Sequence, residues 1–291
     1  MSQCESCSSS GSCGGSCPNK EKELTEAQKH TNIKNIIVVM SGKGGVGKSS
    51  FSSILAVALR KRGFEVGLMD GDITGPSIPK LFGVSKQPDM GEHGIDPVKS
   101  KSGISLMSMN FLLPHDDDPV VWRGPIITGI LEQFITDVCW GNLDYLVVDL
   151  PPGTGDAPLT IMQDMRVGGA LIVTTPQSLS NMVVRKGINM LQMMKIPALG
   201  IAENMSYVRC NNCNERINVF GESHVKDTCD KFDIPLIGQF PLDPHLSEMG
   251  DAGKIEDYEG EVLTLLTENM DKILSRLEYS QKEKQETSEE K

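Results

Sequence analysis

From Asn35 onward the chain alternates short apolar runs with stretches of helical periodicity. The runs Ile36-Ile37-Val38-Val39-Met40, Val66-Gly67-Leu68-Met69, Leu146-Val147-Val148, Leu171-Ile172-Val173 and Leu199-Gly200-Ile201 carry no polar alternation. The strands they predict are therefore buried on both faces. Residues 49–62, between the first two runs, read as a helix stopped by Gly63, and residues 178–195 read as another after the fourth run. Repeated βαβ units of this kind build an α/β fold, a mostly parallel sheet with helices on both faces. A last helix over about 260–277 places Val262, Leu265, Leu266, Ile273 and Leu277 near one face.

Residues 1–32 differ: they are rich in Ser, Gly and Cys and have almost nothing to bury before Ile33. A flexible or metal-ordered Cys-rich arm is expected there, followed by one folded domain over 33–278 and a charged, solvated tail over 279–291. The 28 Lys and Arg against 39 Asp and Glu give a formal charge of -11, which repels polyanions over most of the surface and argues against nucleic acid as a partner. No apolar run approaches the roughly 18–20 residues of a membrane span, and the N-terminus lacks the apolar core of a secretory signal. A cytoplasmic protein without a membrane partner is expected. Its eight cysteines then stay reduced, and CxxC pairs read as metal or redox sites before they read as structural disulfides.

The first strand runs into Gly42-Lys43-Gly44-Gly45-Val46-Gly47-Lys48-Ser49, followed by Ser50 and the first helix. This satisfies GxxxxGK[ST] in its strand–loop–helix context. The glycines let backbone N–H groups converge on phosphate oxygens, Lys48 meets the β and γ phosphates, and the Ser49 hydroxyl can ligate magnesium. Carboxylates follow at two further strand ends: Asp70 and Asp72 after the second, Asp149 before Leu150-Pro151-Pro152-Gly153-Thr154-Gly155-Asp156. Strand C-termini line the ligand crevice of an open α/β sheet. Asp149 reads as the acid that holds the magnesium shell, while Asp70 and Asp156 read equally as helix caps. No guanine-reading NKxD occurs, which favours ATP over GTP.

The second lysine, Lys43, makes the loop resemble the deviant Walker A family of MinD, ParA and the nitrogenase iron protein. That resemblance implies a homodimer in which Lys43 reaches the partner's nucleotide, a water-orienting role for Asp72, and an adenine-reading role for Asn204. Four stretches resemble the Mrp/ApbC iron-sulfur carriers in particular: Asp72-Ile73-Thr74-Gly75-Pro76-Ser77-Ile78-Pro79, Trp122-Arg123-Gly124-Pro125, Asp149 to Asp156, and Glu203-Asn204-Met205-Ser206-Tyr207. A CxxC, Cys210 and Cys213, follows the last of these. The resemblance implies an ATPase that carries a 4Fe-4S cluster and hands it to apo iron-sulfur proteins, with other assembly factors as further partners.

Clusters and tetrahedral zinc generally take four protein ligands, so one CxxC is half a site. A two-fold dimer presents it twice and completes the set. A zinc knuckle, a redox disulfide and an incidental surface turn are the other readings. Cys4, Cys7, Cys13 and Cys17 put four more thiols in the arm, and the first three resemble the last three cysteines of the N-terminal motif in the eukaryotic cytosolic scaffolds of that family. That motif's fourth cysteine lies upstream, whereas here Cys17 lies downstream, so a cluster, a zinc ion or a thiol arm all remain open. Cys139 and Cys229 read as packed hydrophobes, and Asp116-Asp117-Asp118 as a solvated loop. Two other functions fit the loop: a MinD- or ParA-type spatial regulator, and an ATP-gated electron donor like the nitrogenase iron protein. The acidic terminus and net charge disfavour the first, and the CxxC spacing disfavours the second.

Overall fold

The computed structural model describes residues 24–73, 75–113, 124–210 and 212–289. The first half runs α1 (Glu26–Lys29), β1 (Asn32–Ser41), α2 (Lys48–Lys61), β2 (Val66–Asp70), α3 (Ile78–Phe82), β3 (Asp89–Met90), β4 (Ile95–Asp96), β5 (Val98–Lys99) and β6 (Ser105–Met107). After α4 (Gly124–Thr136) come β7 (Asn142–Asp149), α5 (Asp156–Asp164), β8 (Gly169–Thr174), α6 (Ser178–Met193) and β9 (Ala198–Arg209). The chain closes with β10 (Arg216–Ile217), α7 (Val225–Phe232), β11 (Leu236–Pro241), α8 (Pro244–Asp251) and α9 (Glu261–Glu289).

The main sheet has the order β10-β9-β8-β1-β7-β2-β6-β5, with β11 on the other side of β9. Its central pairs are parallel, and only β5 and β10 run antiparallel. The unbroken apolar runs have the expected consequence: Ile37 and Val39 pack on one face against α2 and α9, while Ile36, Val38 and Met40 pack on the other against α4, α5 and α6. β1 sits between β7 and β8, so its C-terminus and the loop after it are flanked by both neighbouring strand ends.

Three boundaries differ from expectation. The folded unit begins before residue 32: Thr25 and Gln28 form a capping box for α1, Ala27 is buried, and the Thr25 hydroxyl donates to the Thr136 carbonyl. β9 extends from residue 198 to 209, far beyond the apolar run 199–201. α9 continues to Glu289 through the stretch expected as a solvated tail, with Ser280 buried and the Gln281 amide donating to Asn35. The arm cysteines Cys4, Cys7, Cys13 and Cys17, together with Trp122, Arg123 and Asp116 to Asp118, lie outside the described residues. Among the described residues no helix is long and apolar enough to cross a membrane.

Candidate functional site

The phosphate loop lies where three strand ends are laced together. Leu150 N–H donates to Val39, Gly71 N–H to Asp149 and Gly153 N–H to Ser41, at 2.8–3.0 Å. Gly45 and Gly47 both have φ of 78°, the left-handed region that disfavours any side chain. Gly42 is constrained differently, because a Cβ there would come 2.7 Å from Val183 of α6. The loop, Ser50, Asp72 and Pro152 line a cavity of about 220 Å³. A larger cavity of about 570 Å³ beneath α3 contains none of the loop, so chemistry, not volume, singles out the smaller one.

Lys48 and Asp149 are both buried and their charged atoms stand 2.7 Å apart. Asp149 also accepts from the Ser49 hydroxyl at 2.6 Å and from Ser52 at 2.7 Å. A buried pair survives desolvation only with such additional partners. Ser52 is one that sequence inspection missed; its signal is the i+4 spacing from Lys48 on α2, whose carbonyl it also meets at 3.0 Å.

Asp70 is a hub. Its fully buried carboxylate accepts from the N–H groups of Asp72, Ser77 and Ile78 and from the Ser108 hydroxyl, at 3.0–3.3 Å. Burial, reinforced by the like charge of Asp149, pushes its pKa up to about 7. It thereby pins both ends of the segment that carries Asp72 to the cavity. Asp156 is the exposed first residue of α5 and does not line the cavity.

Lys43 lines the cavity too, and its ammonium donates to Gln177 of the same chain. Asn204 is buried beneath the loop, its amide nitrogen 2.9 Å from the Val46 carbonyl. Close by, Glu203 is buried and satisfied by Ser206, Ser223 and Gln239 at 2.6–2.9 Å.

Cys210 and Cys213 sit in the turn that joins β9 to β10. Cys210 N–H donates to Glu215 and Asn214 N–H returns to Cys210, closing the hairpin at 2.8–2.9 Å. Cys210 is half-buried and Cys213 exposed. The N–H groups of Asn212 and Cys213, and then the Cys213 thiol, hold the Cys210 thiol below its ordinary range, favouring the thiolate that metals bind. Among the described residues no cluster of three or more His, Cys, Asp or Glu gathers at metal-binding distance. Glu261 clamps the root of the hairpin through Tyr207 and Arg209 at 2.5–3.0 Å. Cys139 is half-buried, and burial raises the Cys229 thiol to about 11; neither joins the hairpin.

The chain is similar to known proteins. A ParA family model described as a NUBPL iron-transfer P-loop NTPase matches residues 32–277. An iron-sulfur cluster carrier protein of Methanocaldococcus jannaschii is 44% identical over 258 residues, covering 86% of this chain and 88% of that protein. A cytosolic Fe-S cluster assembly factor of Saccharomyces cerevisiae is 42% identical over 239 residues, covering 79% and 82%. Among solved structures, a nucleotide-binding protein of Archaeoglobus fulgidus in complex with ADP has a TM-score of 0.73 at 44% identity, covering 81% of this chain and 94% of that one. With its phosphate loop, strand-end carboxylates and matched span, the chain belongs to the ParA-type family of iron-transfer P-loop NTPases.

Proposed function

We propose that this protein is an ATP-hydrolysing carrier that binds a 4Fe-4S cluster as a homodimer and passes it to apo iron-sulfur proteins in the cytoplasm. The observation that carries this reading is a CxxC, with Cys213 exposed and Cys210 half-buried, in the hairpin at the end of the strand that also braces the phosphate loop. The names of its relatives support the cargo. Two thiolates with no third ligand gathered beside them among the described residues support a second copy as the source of the rest. Exposed Ile217, Val219 and Phe220 beside the hairpin supply apolar surface for that copy. Cys4, Cys7, Cys13 and Cys17 provide a second thiolate set, able to hold one cluster or one zinc ion.

In this reading ATP lies along the loop residues 42–50, with Lys48 on its β and γ phosphates. With its amide nitrogen on Val46, Asn204 offers its oxygen to the amino edge of adenine. The paired oxygens of Ser49 and Asp149, 2.6 Å apart, fit the hard ligands magnesium prefers. Ser49 and Asp149 would hold a magnesium ion that, when bound, would supply positive charge against the phosphates. Asp72 orients the attacking water, and Lys43 leaves Gln177 to stabilise charge on the partner's transferring phosphoryl group. Lys43→Ala is therefore expected to bind ATP normally yet hydrolyse it about 10³-fold more slowly, the lower end for a trans-acting cation. Steady-state turnover at matched protein concentration is the check, and an unchanged rate removes the trans role.

The carrier reading is tested by anaerobic reconstitution, iron and acid-labile sulfide counting, and mixing with an apo-acceptor in the presence of a ferrous chelator. Chelator-resistant transfer is expected. A protein that holds no cluster, or that passes only electrons, overturns it.

A further inference from the structure

β9 is the only described strand that touches the phosphate loop at one point and carries the cysteine hairpin at its end. Through Glu203 it is paired on both sides, meeting Thr174 of β8 and Gln239 of β11, with one register shift on β8 after Ala198 and one on β11 between Ile201 and Ala202. Register on β11 resumes only at Tyr207, opposite Pro241, after a shift. The intervening Asn204, Met205 and Ser206 have no registered partner on either neighbour, and Met205 has φ of 56°. A non-glycine residue in that region is held there by its surroundings.

Those surroundings are the phosphate loop. Asn204 donates to Val46, and a Cβ built on Gly47 would meet the Asn204 amide at 2.5 Å and the Met205 methyl at 3.3 Å. Beneath the kink, the Ser206 hydroxyl donates to Glu203 at 2.8–2.9 Å. Beyond it, Tyr207 and Arg209 are clamped to Glu261, and the next residue is Cys210. The kink thus lies between two fixed points, one at each site.

We propose that Asn204 and Met205 are positioning residues that couple nucleotide binding to the cysteine hairpin: when the loop closes on phosphate, its contacts with these two side chains tighten the kink and stiffen residues 206–217. This rests on the nucleotide half of the function proposed above, and it requires no cluster. The two sites then share one coupling free energy, and whatever binds at Cys210 and Cys213 alters nucleotide affinity by the same factor.

The test is hydrogen–deuterium exchange of the metal-free full chain, with and without saturating ADP, read by mass spectrometry on peptides covering 206–217. ADP leaves no γ phosphate for a partner's lysine, so the comparison stays within one chain. Exchange of the hairpin amides should slow by about fivefold or more, the lower end of ordinary site-to-site coupling, while the α7 amides stay unchanged. Asn204→Ala and Met205→Gly should each lose that slowing with ADP bound, as titration calorimetry verifies. Glycine suits the left-handed backbone at 205, so Met205→Gly decides the matter if Asn204→Ala folds or binds poorly. Unchanged hairpin exchange in the ADP-bound wild type, or slowing that persists in Met205→Gly, overturns the proposal. Failure of wild type to bind ADP would instead defeat the proposed ATPase, and failure to hold iron would defeat only the cargo.

Discussion

Lys48→Ala is expected to lose productive nucleotide binding and to destabilise the fold at the same time. Lys48 is 6% exposed and its partner Asp149 is fully buried, so truncation leaves a buried carboxylate with only the Ser49 and Ser52 hydroxyls. Breaking one side of a buried pair costs about 3–5 kcal/mol, which a thermal melt detects directly. Losing the direct cation on phosphate should weaken ADP binding by at least about 10²-fold, the scale for removing a preorganised charge-stabilising group. The two effects separate in the double variant Lys48→Met with Asp149→Asn. Neutralising both partners should restore much of the stability and none of the binding. Wild-type affinity for ADP in Lys48→Ala would exclude Lys48 from the phosphate site.

The phosphate loop is legible in the sequence because its requirements are local: glycines where φ is positive, then a lysine and a serine opening a helix. The sheet is legible for a similar reason, since runs such as Ile36 to Met40 admit no exposed face. Asp70 is different. Its importance comes from Ser108, 38 residues onward, and from the N–H groups that open α3, and no short-range pattern joins them. The full length of β9 was hidden by Glu203, Asn204 and Ser206, polar residues that interrupt the apolar run. They are tolerated in a buried strand because Ser223, Gln239 and the Val46 carbonyl satisfy them. α1 carries a sequence signature, Thr25 to Gln28, that the composition of the preceding arm obscures. The C-terminal extension of α9 follows from its Glu, Lys and Gln content, residues of good helix propensity, and from the anchor that Ser280 and Gln281 give its first turn, which no local pattern announces.

Cys213→Ser is expected to abolish the bridging cluster instead of halving it. Two thiolates per chain become four only across a two-fold axis, and symmetry repeats any substitution, so one change removes two of the four ligands. The measurement uses the full chain with Cys4, Cys7, Cys13 and Cys17 all replaced by serine, which leaves α1 and its buried Ala27 in place. Iron and sulfide should then count to one 4Fe-4S cluster per two chains. Each iron–thiolate bond ties the subunits together, so reconstitution should also move sedimentation from monomer toward dimer, because a ligand that binds only the dimer stabilises it by mass action. In Cys213→Ser both the iron and the shift should vanish. ADP binding should survive, since Lys48, Asp149 and Asn204 are untouched and the hairpin is closed by backbone hydrogen bonds that the substitution keeps. A cluster found on monomers, or one retained by Cys213→Ser, would defeat the bridge and leave Cys210 and Cys213 as a zinc or redox pair.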